Sequence, residues 1–318
     1  MAGRRVCVTG AGGFVGSWLV KILLSNNYIV HGTVRNPLDE KYAHLKSLER
    51  ASENLKLFKA DLLDYETLRA AIAECDGVFH TASPVPSGSV PNPEVELIEP
   101  AVKGTLNVLK ACCEVNVKKV VYVSSVAALC MVPNRPDRPL DETFWSDQEF
   151  CRTNNDWYCL SKTQAESEAW EFSKRNGIDL KSVCPTLILG PLLQSTVNAS
   201  SLAIIKLLRD GFEQLENRLR LIVDVRDLAK ALILLFEKPE ANGRYICTSH
   251  EIWTKDMVDI LKKKYPDYKY PNIFIEPKGV FSATSEKLQG LGWIYRPLEE
   301  TLVDAVENYI QNGLLTKK

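Results

Sequence analysis

The chain has 318 residues, of which 45% are hydrophobic and 25% charged, a size and composition that suit one large domain carrying a smaller lobe. Its 39 basic side chains against 40 acidic ones leave almost no net field, so neither nucleic acid nor an anionic membrane is implied as a partner. The most apolar run, around Ala231 to Phe236, is far shorter than the roughly 20 residues a membrane span needs, and Met-Ala-Gly-Arg-Arg leads straight into Val6-Cys7-Val8, so a cytoplasmic protein without a leader is expected.

The first element in chain order is a strand, Val6 to Thr9, running into Gly10-Ala11-Gly12-Gly13-Phe14-Val15-Gly16 and then a helix from Val15 to Ser25. A strand, a glycine turn and a helix start together make a dinucleotide site. Gly10 permits the tight turn, Gly13 lets backbone N–H groups approach a pyrophosphate, and Gly16 allows close helix packing, while the helix N-terminus offers positive potential. A second strand, Ile29 to Val34, ends where an NAD-specific site would place an acid. Here Arg35 follows, with Lys41 six positions on, and two cations suit the 2′-phosphate of NADP(H). The third strand, Leu55 to Lys59, leads to Asp61, which serves either the adenine end of the cofactor or as a helix N-cap. A helix from Glu66 to Ala73 and strands Val78 to His80 and Val120 to Ser124 continue the rhythm of a parallel sheet with crossover helices.

Three Tyr-x-x-x-Lys pairs occur, at Tyr42/Lys46, Tyr158/Lys162 and Tyr265/Lys269. Tyr265 precedes a proline, and Tyr42 is expected on an exposed, charged segment. Tyr158 alone opens a long helix, Trp157 to Asn176 with Gly177 as C-cap, after a strand that ends in hydroxyls. Residues four apart share a helix face, so Lys162 can hold its ammonium near the phenol of Tyr158. A free phenol has a pKa near 10, and nearby positive charge helps it give up a proton. After the strand Leu180 to Val183 and Pro185 the pattern changes, through a loop from Gly190 to Ser200, to helices near Leu202 to Arg209 and Val225 to Phe236. The fold expected is a doubly wound parallel α/β sheet of Rossmann type with a smaller C-terminal α/β lobe: residues 1–184 for the dinucleotide and 185–318 for substrate, some segments returning to the first domain. Four histidines without paired spacing and nine cysteines without CxxC spacing predict no metal site and a reducing compartment.

The Gly-x-x-Gly-x-x-Gly spacing resembles that of extended short-chain dehydrogenases. The resemblance covers nearly the whole chain and is to the plant dihydroflavonol reductase and cinnamoyl-CoA reductase group. It is carried by Lys59-Ala60-Asp61-Leu62-Leu63-Asp64, by Gly77 through Pro84, by Ala101-Val102-Lys103-Gly104-Thr105, by Gly190-Pro191-Leu192-Leu193-Gln194 and by Thr196 through Ser200. It implies a reductase in which Ser125, Tyr158 and Lys162 are catalytic. It places the cofactor on Gly10, Gly13, Phe14, Val15, Gly16, Arg35, Lys41, Asp61, Leu62, Thr81, Ala82, Ser83, Tyr158, Lys162, Pro185 and Leu187.

The departures concern substrate. Cinnamoyl-CoA reductases read Asn-Trp-Tyr-Cys-Tyr-Gly-Lys around the tyrosine, whereas this chain has Asp156-Trp157-Tyr158-Cys159-Leu160-Ser161-Lys162. The family's helical His-x-x-Lys falls on Ala203 and Lys206, and its arginine falls near Thr254. Val126-Ala127-Ala128-Leu129 lacks the polar residue with which dihydroflavonol reductases read a flavonoid ring. A hydroxycinnamaldehyde, a flat carbonyl compound without a large polar handle, is therefore the expected substrate, with a cinnamoyl-CoA or flavonoid reductase as the alternative. A nucleotide-sugar epimerase and a non-catalytic NADPH binder are disfavoured by Arg35 and Lys41 and by the intact trio. Leu192 and Phe281 are candidates for aromatic packing or core. The resemblance also supplies a cysteine pair at Cys151 and Cys159, expected either to approach each other as a redox pair or to stay as packing thiols.

Overall fold

The computed structural model describes residues 3–85, 90–277 and 279–316. The β-branched runs become strands β1 (Arg5–Thr9), β2 (Ile29–Val34), β3 (Leu55–Lys59), β4 (Gly77–His80), β5 (Lys119–Val123) and β6 (Asp179–Pro185). Later strands are β7 (Leu187–Leu189), β8 (Gln214–Glu216), β9 (Leu219–Asp224), β10 (Gly243–Cys247), β11 (His250–Trp253) and β12 (Ile273–Ile275).

Seven of them form one parallel sheet in the order β10-β6-β5-β4-β1-β2-β3. Alternation along β5 shows why both faces must be covered. Val121 and Val123 enter a core shared with the helices Phe14–Ser25 and Val225–Glu237, whereas Val120 and Tyr122 join the helices Tyr65–Ile72, Glu99–Glu114 and Trp157–Asn176. The doubly wound sheet expected from the sequence is the one observed. Strand order reverses between β1 and β4, and ligands of such sheets bind in the crevice at that point.

Residues beyond Pro185 divide between the two lobes. β10 pairs with β6 from Gly243 opposite Lys181 to Cys247 opposite Pro185, so this strand returns to the large sheet. The smaller lobe holds a three-stranded sheet, β11-β9-β7, a two-stranded one, β12-β8, and the helices Ala199–Asp210, Thr254–Lys264 and Leu298–Gln311. Among the described residues no helix is long and apolar enough to cross a membrane.

Candidate active site

The glycine turn is shaped by contacts that no side chain could share. Gly10 has φ +68°, and a Cβ there would stand 3.0 Å from the Ala82 Cα; a Cβ on Gly16 would lie 2.2 Å from the Gly10 carbonyl oxygen. Gly13 precedes the helix in extended conformation, with no side-chain cap, and Phe14, Val15 and Gly16 open a first turn without an acid. Its N–H groups thus remain for an anion, and the residues present fit a dinucleotide phosphate. Across the crevice Thr81 Oγ1 donates to the Thr9 carbonyl at 2.6 Å, and Ala82 N donates to Thr9 Oγ1 at 3.2 Å. Ser83 follows, half-buried, while Pro185 closes β6 and Leu187 opens β7.

At the end of β2, Arg35 is exposed and has no ion-pair partner among the described residues. Lys41 differs. Its ammonium lies 2.8 Å from Asp39 and 5.0 Å from the centre of the Tyr42 ring. The segment around Tyr42 is largely exposed, as expected, but Tyr42 itself is 8% exposed, because its ring occupies the space beside Gly12, where a Cβ would meet it at 2.3 Å. The alternatives for Asp61 also narrow. Asp64 caps the helix Tyr65–Ile72, whereas Asp61 Oδ1 accepts from Leu63 N at 2.9 Å and holds the preceding turn. Leu62 is half-buried against Gly104, and its carbonyl accepts from Asn107 Nδ2 at 2.9 Å.

Asp156 starts the helix Trp157–Asn176 by accepting from Cys159 N at 3.0 Å, and Gly177 ends it in the left-handed conformation. Tyr158 therefore sits in the first turn and Lys162 in the next. Ser125, two residues beyond β5, is 9% exposed, and its Oγ accepts from Ala127 N at 3.1 Å. Burial pushes the Tyr158 phenol up, and a hydrogen bond with Ser125 draws it back. Lys162 is 3% exposed. Burial pulls its ammonium down to about 8, against the pull of Glu166, and it makes no protein hydrogen bond among the described residues. A buried ammonium without a protein hydrogen bond, one turn along the helix from Tyr158, suits a ribose hydroxyl arriving with the cofactor.

On the lobe side, Ala203 and Lys206 are exposed on the helix Ala199–Asp210. Thr254 is fully buried; its hydroxyl donates to the Arg218 carbonyl at 2.9 Å and accepts from Arg220 Nε at 3.0 Å. Arg220 escaped the sequence reading because only the fold sets β9 against the start of the helix Thr254–Lys264. It is half-buried, and burial, then Arg218, lower its pKa against the pull of the Glu216 carboxylate. Leu192 belongs to the main core, and Phe281 packs with Leu129 and Leu221.

The thiol that meets Cys159 is not the one the resemblance suggested. Cys130 Sγ lies 4.0 Å from Cys159 Sγ, while Cys151 packs in the same apolar cluster, and all nine cysteines are free. The histidines are bound into the fold: His80 bonds Thr9 and Thr105, His31 the Ala71 carbonyl, His44 Ser17, and His250 the Arg296 carbonyl.

Comparison with known proteins agrees with this geometry. Residues 6–247 match the NAD dependent epimerase/dehydratase family. A cinnamoyl-CoA reductase of Petunia hybrida is 48% identical over 99% of this chain and 95% of its own length. Vestitone reductase from alfalfa superposes with a TM-score of 0.85 at 34% identity, covering 98% of this chain and 99% of that one. The yeast methylglyoxal/isovaleraldehyde reductase, solved as a complex with NADPH, superposes with a TM-score of 0.83 at 26% identity, covering 98% of this chain and 100% of that one. The chain belongs to the NAD dependent epimerase/dehydratase family, among the short-chain oxidoreductases related to plant cinnamoyl-CoA reductases.

Proposed function

We propose that this oxidoreductase, with NADP(H) as its cofactor, reduces hydroxycinnamaldehydes to the corresponding alcohols. The cofactor supplies the hydride. Tyr158 gives its phenolic proton to the carbonyl oxygen, Lys162 holds positive charge beside that phenol and binds the ribose, and Ser125 orients the carbonyl by a hydrogen bond. In this reading residues 1–184 carry the cofactor side and 185–318 the substrate side, with β10 returning to the large sheet. A cytoplasmic setting belongs to the same reading.

The single observation that carries the choice of aldehyde is Thr254. Its hydroxyl is buried and already engaged by Arg218 and Arg220, and Ala203 offers no polar atom, so two of the three contacts expected for a thioester end are missing. A coenzyme A thioester is the second reading, favoured by Arg220: its guanidinium stands on Thr254, where the resemblance places an arginine. Following NADPH oxidation by the purified full chain with both substrate types tests the proposal. Arg220→Met separates the readings, because only thioester turnover should fall in that variant.

A further inference from the structure

A second charged pair lies behind the candidate proton-transfer pair. Glu166, one turn beyond Lys162 on the same helix, is fully buried. Its carboxylate accepts from Ser124 Oγ and Ser182 Oγ, each at 2.6 Å, and from Arg244 Nε at 2.8 Å and Nη2 at 3.0 Å. Burial alone would push such a carboxyl up, but the Arg244 guanidinium and the two serines hold it below its ordinary value, so it is ionised. Arg244 is 8% exposed and reaches on to the carbonyls of Phe144, at 2.5 Å, and Glu142, at 3.1 Å, with its guanidinium over the Trp145 ring.

The bonds join every element that carries the trio. Ser124 immediately precedes Ser125, so its bond to Glu166 ties the end of β5 to the helix of Tyr158 and Lys162. Ser182 adds β6, and Arg244 adds β10. The segment held by Arg244 also packs on the turn after Ser125, since Ser146 Oγ donates to the Ala127 carbonyl at 2.8 Å and accepts from Met131 N at 3.0 Å.

The charge matters as well as the bonds. The titratable groups that act on Lys162 are Glu166 on its own helix, His80 on β4 and Cys184 on β6, with Arg244 on β10 behind Glu166 and Tyr122 on β5 beside Glu166 and Cys184. His80 is neutral because burial, and then Lys162, draw it down to about 3. Burial pushes Tyr122 and Cys184 up, so both stay protonated. Glu166 is thus the anion that opposes the desolvation of Lys162.

We propose that Glu166, held by Arg244, is a positioning residue for the reduction: it sets Ser125 against Tyr158 and keeps Lys162 charged. The proposal rests on Tyr158 and Lys162 being the proton-transfer pair, and Tyr158→Phe assayed in parallel separates failure of that reading from failure of this one.

The test is the pH profile of kcat and the KM for the carbonyl substrate in Glu166→Gln, which keeps shape and removes charge. With the anion gone, Lys162 loses its proton at lower pH, so the alkaline limb of kcat should move down by about one pH unit. At neutral pH kcat should fall about tenfold while KM stays within about twofold. Since Glu166→Gln leaves Arg244 unpaired and can prevent folding, Glu166→Gln/Arg244→Met removes both charges and retains packing. The same downward shift in the double variant supports the proposal. An alkaline limb at its wild-type position in whichever variant folds overturns it, and makes the pair a packing device only.

Discussion

Lys41 holds its ammonium 2.8 Å from the Asp39 carboxylate, whereas Arg35, on the same side of the cofactor crevice, is unpaired. With both proposed to face a 2′-phosphate, the two cations are expected to contribute unequally. Arg35→Ala should reduce the NADPH over NADH preference in kcat/KM by about tenfold or more, as loss of a charge-assisted hydrogen bond does. Lys41→Ala should reduce it by less. Equal losses in steady-state assays would refute the ranking, and an unselective wild type would remove the phosphate assignment altogether.

Removing the proposed acid tests the chemistry apart from binding. Tyr158→Phe keeps the ring and should lower kcat by about 10² or more while the dissociation constant for NADPH changes little. Lys162→Ala should weaken both, because the same ammonium serves ribose and phenol. Fluorescence titration beside turnover measurement reads the two effects separately.

Burial of Lys162 has a consequence for stability. Its folded pKa, about 8, lies below lysine's ordinary 10.5, so between those values the unfolded chain binds more protons and stability rises with pH. Below that window the full cost is present, about 3 kcal/mol. Lys162→Met should raise the Tm of the cofactor-free protein by a few degrees at pH 7, with the gain shrinking toward pH 10. Calorimetry showing a lower Tm at pH 7 would contradict the account.

Legibility in the sequence followed the range of the interactions. Strands β1 to β6, the glycine turn and the helix bearing Tyr158 and Lys162 are written in local period and punctuation, with Asp156 and Gly177 marking the ends of that helix. Features made by distant segments were not readable. Nothing near Arg244 announces that it meets Glu166, 78 positions earlier. Nothing near Tyr42 shows that its ring fills the gap left by Gly12. The start of the helix Glu99–Glu114 is masked in the sequence by Pro100, although a proline in the first turn is compatible with a helix.

The cysteine geometry shifts the redox expectation from Cys151 to Cys130. Oxidation of Cys130 and Cys159 by oxidised glutathione would pass two electrons and the two thiol protons to the oxidant, leaving two molecules of glutathione thiol, and would link the turn after Ser125 to the residue beside Tyr158. Activity should then fall across a graded glutathione buffer in the wild type and in Cys151→Ser, but not in Cys130→Ser. A Cys130→Ser response equal to the wild type's would leave the pair as packing.

The most direct test of the proposed function is a kinetic comparison, under one set of conditions with NADPH, of a hydroxycinnamaldehyde and its coenzyme A thioester. Because Thr254 and Ala203 provide no free polar contact for the thioester end, kcat/KM should be higher for the aldehyde, by about tenfold or more if each missing hydrogen bond is worth about 1 kcal/mol. A higher kcat/KM for the thioester would contradict the account and make the chain a cinnamoyl-CoA reductase that places Arg220 where its relatives place an arginine.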